Sequence, residues 1–265
     1  MPSLERAAPR RRLVSPCVLS SFTVAALDLV FPALCPVCET TLGAGRRDPL
    51  CGTCWSTIAR LEGAWCDRCG AASRASGGGR PPAALGLACA ACVTNPPPYD
   101  YARSAALYEG PLREAIHAFK FSRRRALAGP LGDLVTEQCG AGLSGDIDAL
   151  VPVPLSRERE RDRGFNQAKL LAERIGRRLR IPVRASWLAR VRPTRPQSDL
   201  PAAERHTNVR DAFRGSERAS DRHVLLVDDV LTTGATLEAC ARALRAAGAR
   251  RIGVLTVARV VQGAL

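Results

Sequence analysis

Val224-Leu225-Leu226-Val227-Asp228-Asp229-Val230-Leu231-Thr232-Thr233-Gly234-Ala235-Thr236-Leu237 reads as a buried apolar strand, two adjacent carboxylates at its C-terminal end, and a Thr/Gly loop turning into a helix. Backbone N–H groups at a helix N-terminus, joined by the hydroxyls of Thr232, Thr233 and Thr236, make an anion cradle. Carboxylates beside such a cradle repel a bare phosphate. They make sense if Asp228 and Asp229 reach hydroxyls instead, or a Mg2+ ion bridging them to the ligand. A ribose with a phosphate at one end and free hydroxyls in its middle meets all of these demands. No Gly-Lys-Ser/Thr is present, so the loop is not a Walker loop.

Outward from this run, strands and helices alternate. Strands are predicted at Ala105–Tyr108, Ala149–Pro154, Val183–Leu188, His223–Val227 and Ile252–Ala258. Helices are predicted from Gly110 to Phe121, Ala126 to Cys139, Asn166 to Arg180 and Ala235 to Ala247. Ala168, Leu171, Ala172, Ile175 and Leu179 carry the 3.6-residue spacing of the third helix. Such alternation predicts an α/β domain, a parallel sheet flanked by helices with its ligand crevice at the strands' C-terminal edge. Val153, Pro154, Leu155 and Ser156 form the loop after the second strand. Arg157, Arg159, Arg161 and Arg163 follow, then Gly164-Phe165-Asn166-Gln167. Arginines can hold phosphate oxygens bidentately, although such a run is otherwise usually a solvated face; Arg163 is the one that stands beside the turn. The 34 residues 189–222 read as a structureless loop, a lid rich in polar groups: Arg190, Arg192, Thr194, Gln197, Arg205 and Asn208.

Eight of the eleven cysteines stand in Cys-x-x-Cys pairs within 58 residues: Cys35/Cys38, Cys51/Cys54, Cys66/Cys69 and Cys89/Cys92. Each two-residue spacer predicts a tight knuckle presenting two thiolates to one ion, and two knuckles complete a tetrahedral Zn2+ site. Sequential pairing gives two structural zinc ribbons: Cys35, Cys38, Cys51 and Cys54, then Cys66, Cys69, Cys89 and Cys92. Cross-braced pairing, structural disulfides and thiol redox chemistry are the alternatives. Gly52 and Gly70 suit turns of positive φ. A module held by metal is expected to unfold on chelation before the rest of the chain.

The 265 residues suffice for one large domain or two ordinary ones. We divide them into a basic flexible leader (1–25), a double zinc ribbon (26–100) ending at the stiff Asn95-Pro96-Pro97-Pro98 connector, and the α/β domain (101–265). Arg10-Arg11-Arg12 precedes a mildly apolar stretch broken by Ser15, Pro16, Ser20, Ser21 and Thr23, which does not read as a signal peptide. No run of about 20 uncharged apolar residues occurs, so a membrane-spanning helix is not expected. Paired cysteines without a secretion signal place the chain in the reducing cytoplasm. The formal net charge is +14, with 37 of the 39 basic residues arginine, which suits a phosphate-bearing partner.

Together, the four cysteine pairs, Val151-Pro152-Val153-Pro154, Arg163-Gly164-Phe165-Asn166-Gln167, the polar lid and Asp228-Asp229…Thr232-Thr233-Gly234 resemble the ComF family of bacterial competence-associated proteins. The resemblance covers about residues 27–260 and implies a type I phosphoribosyltransferase-like domain behind a zinc ribbon. It implies 5-phosphoribosyl 1-pyrophosphate as ligand, with Mg2+. Asp228 and Asp229 would hold the ribose hydroxyls or Mg2+, and Thr232, Thr233, Gly234, Ala235 and Thr236 the 5′-phosphate. Val153, Pro154, Leu155, Ser156 and Arg163 would hold the diphosphate under a lid of Arg192, Gln197 and Arg205. Lys120 matches the family's basic residue after the first helix. The leader 1–25 and the insertion Ser76-Gly77-Gly78-Gly79-Arg80-Pro81-Pro82 depart from the family pattern. The implied role is in DNA uptake and natural transformation, as a phosphoribosyltransferase whose acceptor the sequence does not name. The rival is a non-catalytic protein that binds single-stranded DNA or senses the ligand among the DNA-uptake proteins. Three tryptophans in 265 residues make a poor stacking platform for bases.

Overall fold

The computed structural model describes residues 33–43, 49–63, 65–71, 88–194 and 202–261. The leader 1–25, the insertion 76–82 and Gln197 therefore lie outside the described residues.

The chain's centre is a four-stranded, wholly parallel sheet in the order β1-β6-β5-β2. Its strands are β1 (Tyr101–Leu107), β2 (Ala149–Pro152), β5 (His223–Leu231) and β6 (Arg251–Arg259). In β5, Leu225 and Val227 join one hydrophobic cluster while Val224 and Leu226 join another. Both faces are thus covered, which is why these strands read as continuous apolar runs rather than alternating ones. The first face packs against α3 (Gly110–Phe121), α4 (Ala128–Cys139) and α6 (Gln167–Leu179). The second packs against α8 (Ala235–Ala246) and a two-stranded antiparallel ribbon of β3 (Leu188–Arg190) and β4 (Phe213–Gly215).

Several expectations need correction. Residues 189–222 are not structureless: they contribute to β3, helix α7 (Ala202–Asn208) and β4. Arg190 pairs with Phe213, folding the segment back on itself as a flap. The strand expected at Val183–Leu188 is one isolated bridge, Val183 to Leu150, followed by a 3-10 turn at Ala185–Trp187. Strand β5 runs on to Leu231, so the aspartates lie inside it rather than at its end. The arginine run forms a short helix, α5 (Arg157–Arg163). Ser156 caps it by accepting from the Arg159 N–H, and Glu158 and Glu160 sit in its first turn, where they complement the helix dipole.

The cysteine module lies against the sheet's β1 edge. Leu61 N–H donates to Ala105 O at 3.0 Å and Leu107 N–H to Ala59 O at 2.8 Å, so the chain at 59–61 covers an otherwise open edge. Gly70, at φ +68°, sits where a Cβ would be 2.6 Å from the carbonyl oxygen of Ala102. Only glycine allows that approach. Gly52, by contrast, opens the short helix α1 (Gly52–Ser56). Among the described residues no helix is long and apolar enough to cross a membrane.

Candidate functional site

Strand β2 stops where Pro152 faces Val227, while β5 continues beside β6 as far as Leu231. The missing neighbour leaves a cleft along the last four residues of β5, and a cavity of about 880 Å3 opens there. Asp228 and Asp229 both line it, although adjacent side chains of a strand point to opposite faces.

The Asp229 carboxylate is 2.8 Å from the Lys120 ammonium at the end of α3, with both side chains largely buried. Burial works against the lysine's charge, but Asp229 outweighs it and holds the ammonium above its ordinary pKa. Asp228 accepts the Asp229 backbone N–H at 2.9 Å. Burial, with the Asp229 charge beside it, raises the Asp228 carboxyl above the ordinary carboxylate range against the pull of Lys120 and Arg163. One strand position is therefore neutralised by a lysine and the next is left wanting a cation or a hydroxyl donor.

Gly234, at φ +86°, turns the chain from β5 into the first turn of α8. Thr232, Gly234, Ala235 and Thr236 line the cavity. Thr233 is not among the lining residues; its hydroxyl accepts the Ala235 N–H at 3.5 Å within the loop. Val153, Pro154, Leu155, Ser156 and Arg163 all line the opposite wall. Asn166 ties that wall to α6: its Nδ2 donates to Val153 O at 3.0 Å while its Oδ1 caps the helix at Lys169 N. From the flap, Arg205 reaches the cavity and Arg192 does not. The Arg192 guanidinium donates instead to the carbonyl oxygens of Asn208 and Arg210.

Three contributors lie outside the site residues expected from sequence, although the family resemblance already points to Lys120. Lys120 carried a signal: it is one of two lysines in a chain whose other 37 basic residues are arginine. A compact ammonium fits where a planar guanidinium does not. Arg190 reads from sequence only as one polar residue of the long segment, and Gln167 only as part of a turn.

The second site is the pair of cysteine tetrads. Cys35, Cys38, Cys51 and Cys54 hold their sulfurs within 4.8 Å of one another, as do Cys66, Cys69, Cys89 and Cys92. The close sulfur pairs, Cys38–Cys51 at 3.5 Å and Cys69–Cys89 at 3.7 Å, match the edge of a tetrathiolate zinc tetrahedron, about 3.8 Å for bonds of about 2.3 Å. Backbone N–H groups of Cys51 and Cys89 donate to the sulfurs of Cys35 and Cys66. The donor set fits zinc, with sequential pairing. Only half of each tetrad is a knuckle, however. Cys51 and Cys89 are the N-cap residues of α1 and of α2 (Ala90–Thr94), and Cys54 and Cys92 lie in those helices.

Comparison with known proteins matches residues 26–93 to the double zinc ribbon domain and 162–265 to the phosphoribosyl transferase domain. The chain is similar to the DNA utilization protein YhgH of Escherichia coli O157:H7, 33% identical over 88% of this chain and 100% of that protein. It is 35% identical to competence protein F of Haemophilus influenzae, over 64% of this chain and 78% of that one. Among solved structures, glutamine phosphoribosylpyrophosphate amidotransferase from B. subtilis shares 20% identity at a TM-score of 0.33, covering 51% of this chain and 26% of that chain.

Proposed function

Because the chain belongs to the ComF family, with a double zinc ribbon ahead of a type I phosphoribosyltransferase-like domain, we propose that it binds 5-phosphoribosyl 1-pyrophosphate with Mg2+ and serves DNA uptake or DNA use. The observation that carries this reading is the joint placement of Asp228, Asp229, the loop 232–236, the loop 153–156 and Arg163 around one cavity. A sugar phosphate carries its hydroxyls between two phosphate ends, which these carboxylates and the two loops would take.

Asp228 and Asp229 are hard oxygen donors and would hold Mg2+, with the raised Asp228 carboxyl in want of a cation. The ion would neutralise charge on the diphosphate. The residues of this chain would do the rest. The N–H groups of the 232–236 loop would fix the 5′-phosphate, and Arg163 would hold the diphosphate as it leaves C1 with the electron pair of the broken C–O bond, while a lone pair of the acceptor forms the new bond to C1. Binding and orienting account for most of the rate such a site supplies. The test is a panel of nucleobases assayed for pyrophosphate release with the sugar diphosphate and Mg2+. Release stimulated by one of them supports transfer; none above the hydrolytic background contradicts it.

One observation favours the rival DNA-handling reading. The Phe121 ring is 59% exposed at the cavity mouth. The Arg163 guanidinium lies 5.0 Å from its centroid. An arginine-flanked ring is a stacking surface for a base. Eight thiolates and two dications would take the formal charge only from +14 to +10, so the metal-loaded chain stays basic. Single-stranded DNA is therefore expected to bind through charge. Its affinity should fall on the order of a hundredfold between about 50 and 200 mM salt for roughly five phosphate contacts. A fluorescence-anisotropy titration measures this, and affinity indifferent to salt would contradict it.

A further inference from the structure

Among the described residues, four buried side-chain polar atoms have no hydrogen-bond partner: Arg68 Nε, Ser144 Oγ, Gln167 Nε2 and Arg190 Nε. Two of the four, Gln167 and Arg190, line the large cavity, and both orphaned atoms are N–H donors. Buried donors are rarely left unpaired, because water has been given up and nothing returned. Both atoms belong to residues on the wall of one cleft, so a ligand there is the nearest source of acceptors, reached by a small turn of each side chain.

We propose that Gln167 and Arg190 are ligand-contacting residues that take phosphoryl oxygens of the bound molecule. The inference rests on the sugar-phosphate reading of the cavity and adds to it two donors outside its phosphate loops. Gln167 is 3% exposed and is the first residue of the thirteen-residue helix α6, where the helix dipole favours an anion. Arg190 is held in place by Thr194, whose hydroxyl accepts from it, and by the Phe213 ring 5.3 Å from its guanidinium carbon. It is thus a preorganised donor rather than a side chain that must be ordered on binding. Arg159, Arg163 and Arg205 line the same cavity together with Glu158, Asp162, Asp228 and Asp229, a mixed-charge surround that suits a ligand carrying both anionic oxygens and hydroxyls or a bound cation.

Gln167→Leu removes the donor at nearly constant volume. A purely structural glutamine loses stability on that change; an orphaned donor does not. The expected result is an unchanged or raised melting temperature and at least a tenfold loss of affinity for 5-phosphoribosyl 1-pyrophosphate with Mg2+. Gln167→Glu keeps the shape but turns an acceptor carboxylate toward the anion, and should lose affinity further. Ribose 5-phosphate and inorganic pyrophosphate, titrated separately, tell which end of the ligand Gln167 holds. A Leu variant that binds as wild type overturns the inference and leaves the sugar-phosphate reading standing. Wild type that takes inorganic pyrophosphate but not the sugar diphosphate, with the pyrophosphate lost in Gln167→Leu, does the reverse. Wild type that binds none of these probes overturns both.

Discussion

Asp228→Asn combined with Asp229→Asn is expected to weaken 5-phosphoribosyl 1-pyrophosphate binding by well over a hundredfold. Asparagine keeps the size but cannot neutralise a cation, and its amide donates where hydroxyls need an acceptor. Each lost charge-assisted hydrogen bond costs on the order of 1.5–3 kcal/mol. The two single variants should differ in stability, with opposite sign. Asp229→Asn leaves the mostly buried Lys120 ammonium without its carboxylate and should cost about 3 kcal/mol. Asp228→Asn removes a half-buried charge repelled by its neighbour and should leave stability unchanged or raise it. The sign follows from linkage. A carboxyl whose folded pKa is raised binds more protons in the folded state, so that stability falls as pH rises from the ordinary carboxylate range toward neutrality. Asp228→Asn should flatten that slope. Calorimetric titration and pH-dependent melting measure both effects. Undiminished affinity in the double variant would mean that the acidic pair does not serve the ligand.

Metal removal is expected to reach well beyond the cysteine module. Freshly purified protein should carry two zinc ions per chain. Apparent zinc-binding free energies of about 10–16 kcal/mol per site are as large as the whole stability of a typical domain. From sequence alone, the ribbon is expected to unfold before the rest of the chain. The structure adds that the module is not independent of that rest. Cys35, Leu42, Leu50, Cys51, Cys54 and Ile58 belong to the same hydrophobic cluster as Leu112, Ile116 and Leu131. The chain at 59–61 pairs with β1, and Arg259 donates to Cys69 O at 2.8 Å. Chelation should therefore lower the melting temperature of the α/β domain as well, by uncovering the β1 edge and part of the core under α3. Scanning calorimetry before and after chelation decides it. An α/β transition that does not move would contradict the shared core.

How much of this was legible in the sequence varies with the physics behind each element. The parallel sheet was readable because strands buried on both faces are continuous apolar runs, as Val224–Val227 is. Helix α3 announced itself through Gly110-Pro111, and α6 through its apolar spacing and the Asn166 cap. The flap was not readable, because β3 and β4 are three residues each and their pairing is long-range. No periodicity survives in so short a strand. Helix α5 was hidden by its composition: seven charged residues look like a solvated run until the Ser156 cap is noticed. At the site, the motif residues could be named from their spacing, but their partners could not. That Lys120 meets Asp229, or that Arg192 is tied to the backbone of its own segment, depends on contacts between residues 109 and 16 positions apart, respectively. Gln167 stood in the turn motif but nothing marked its side chain, since an orphaned donor exists only once the surroundings are known.

The measurement that bears most directly on the account is a calorimetric titration of the zinc-loaded wild-type chain with 5-phosphoribosyl 1-pyrophosphate, with and without Mg2+. Saturable binding is expected at one site per chain, stronger with Mg2+, and lost in Asp228→Asn although that variant melts no lower than wild type. Absence of binding at millimolar ligand, or binding that Asp228→Asn leaves intact, would contradict it.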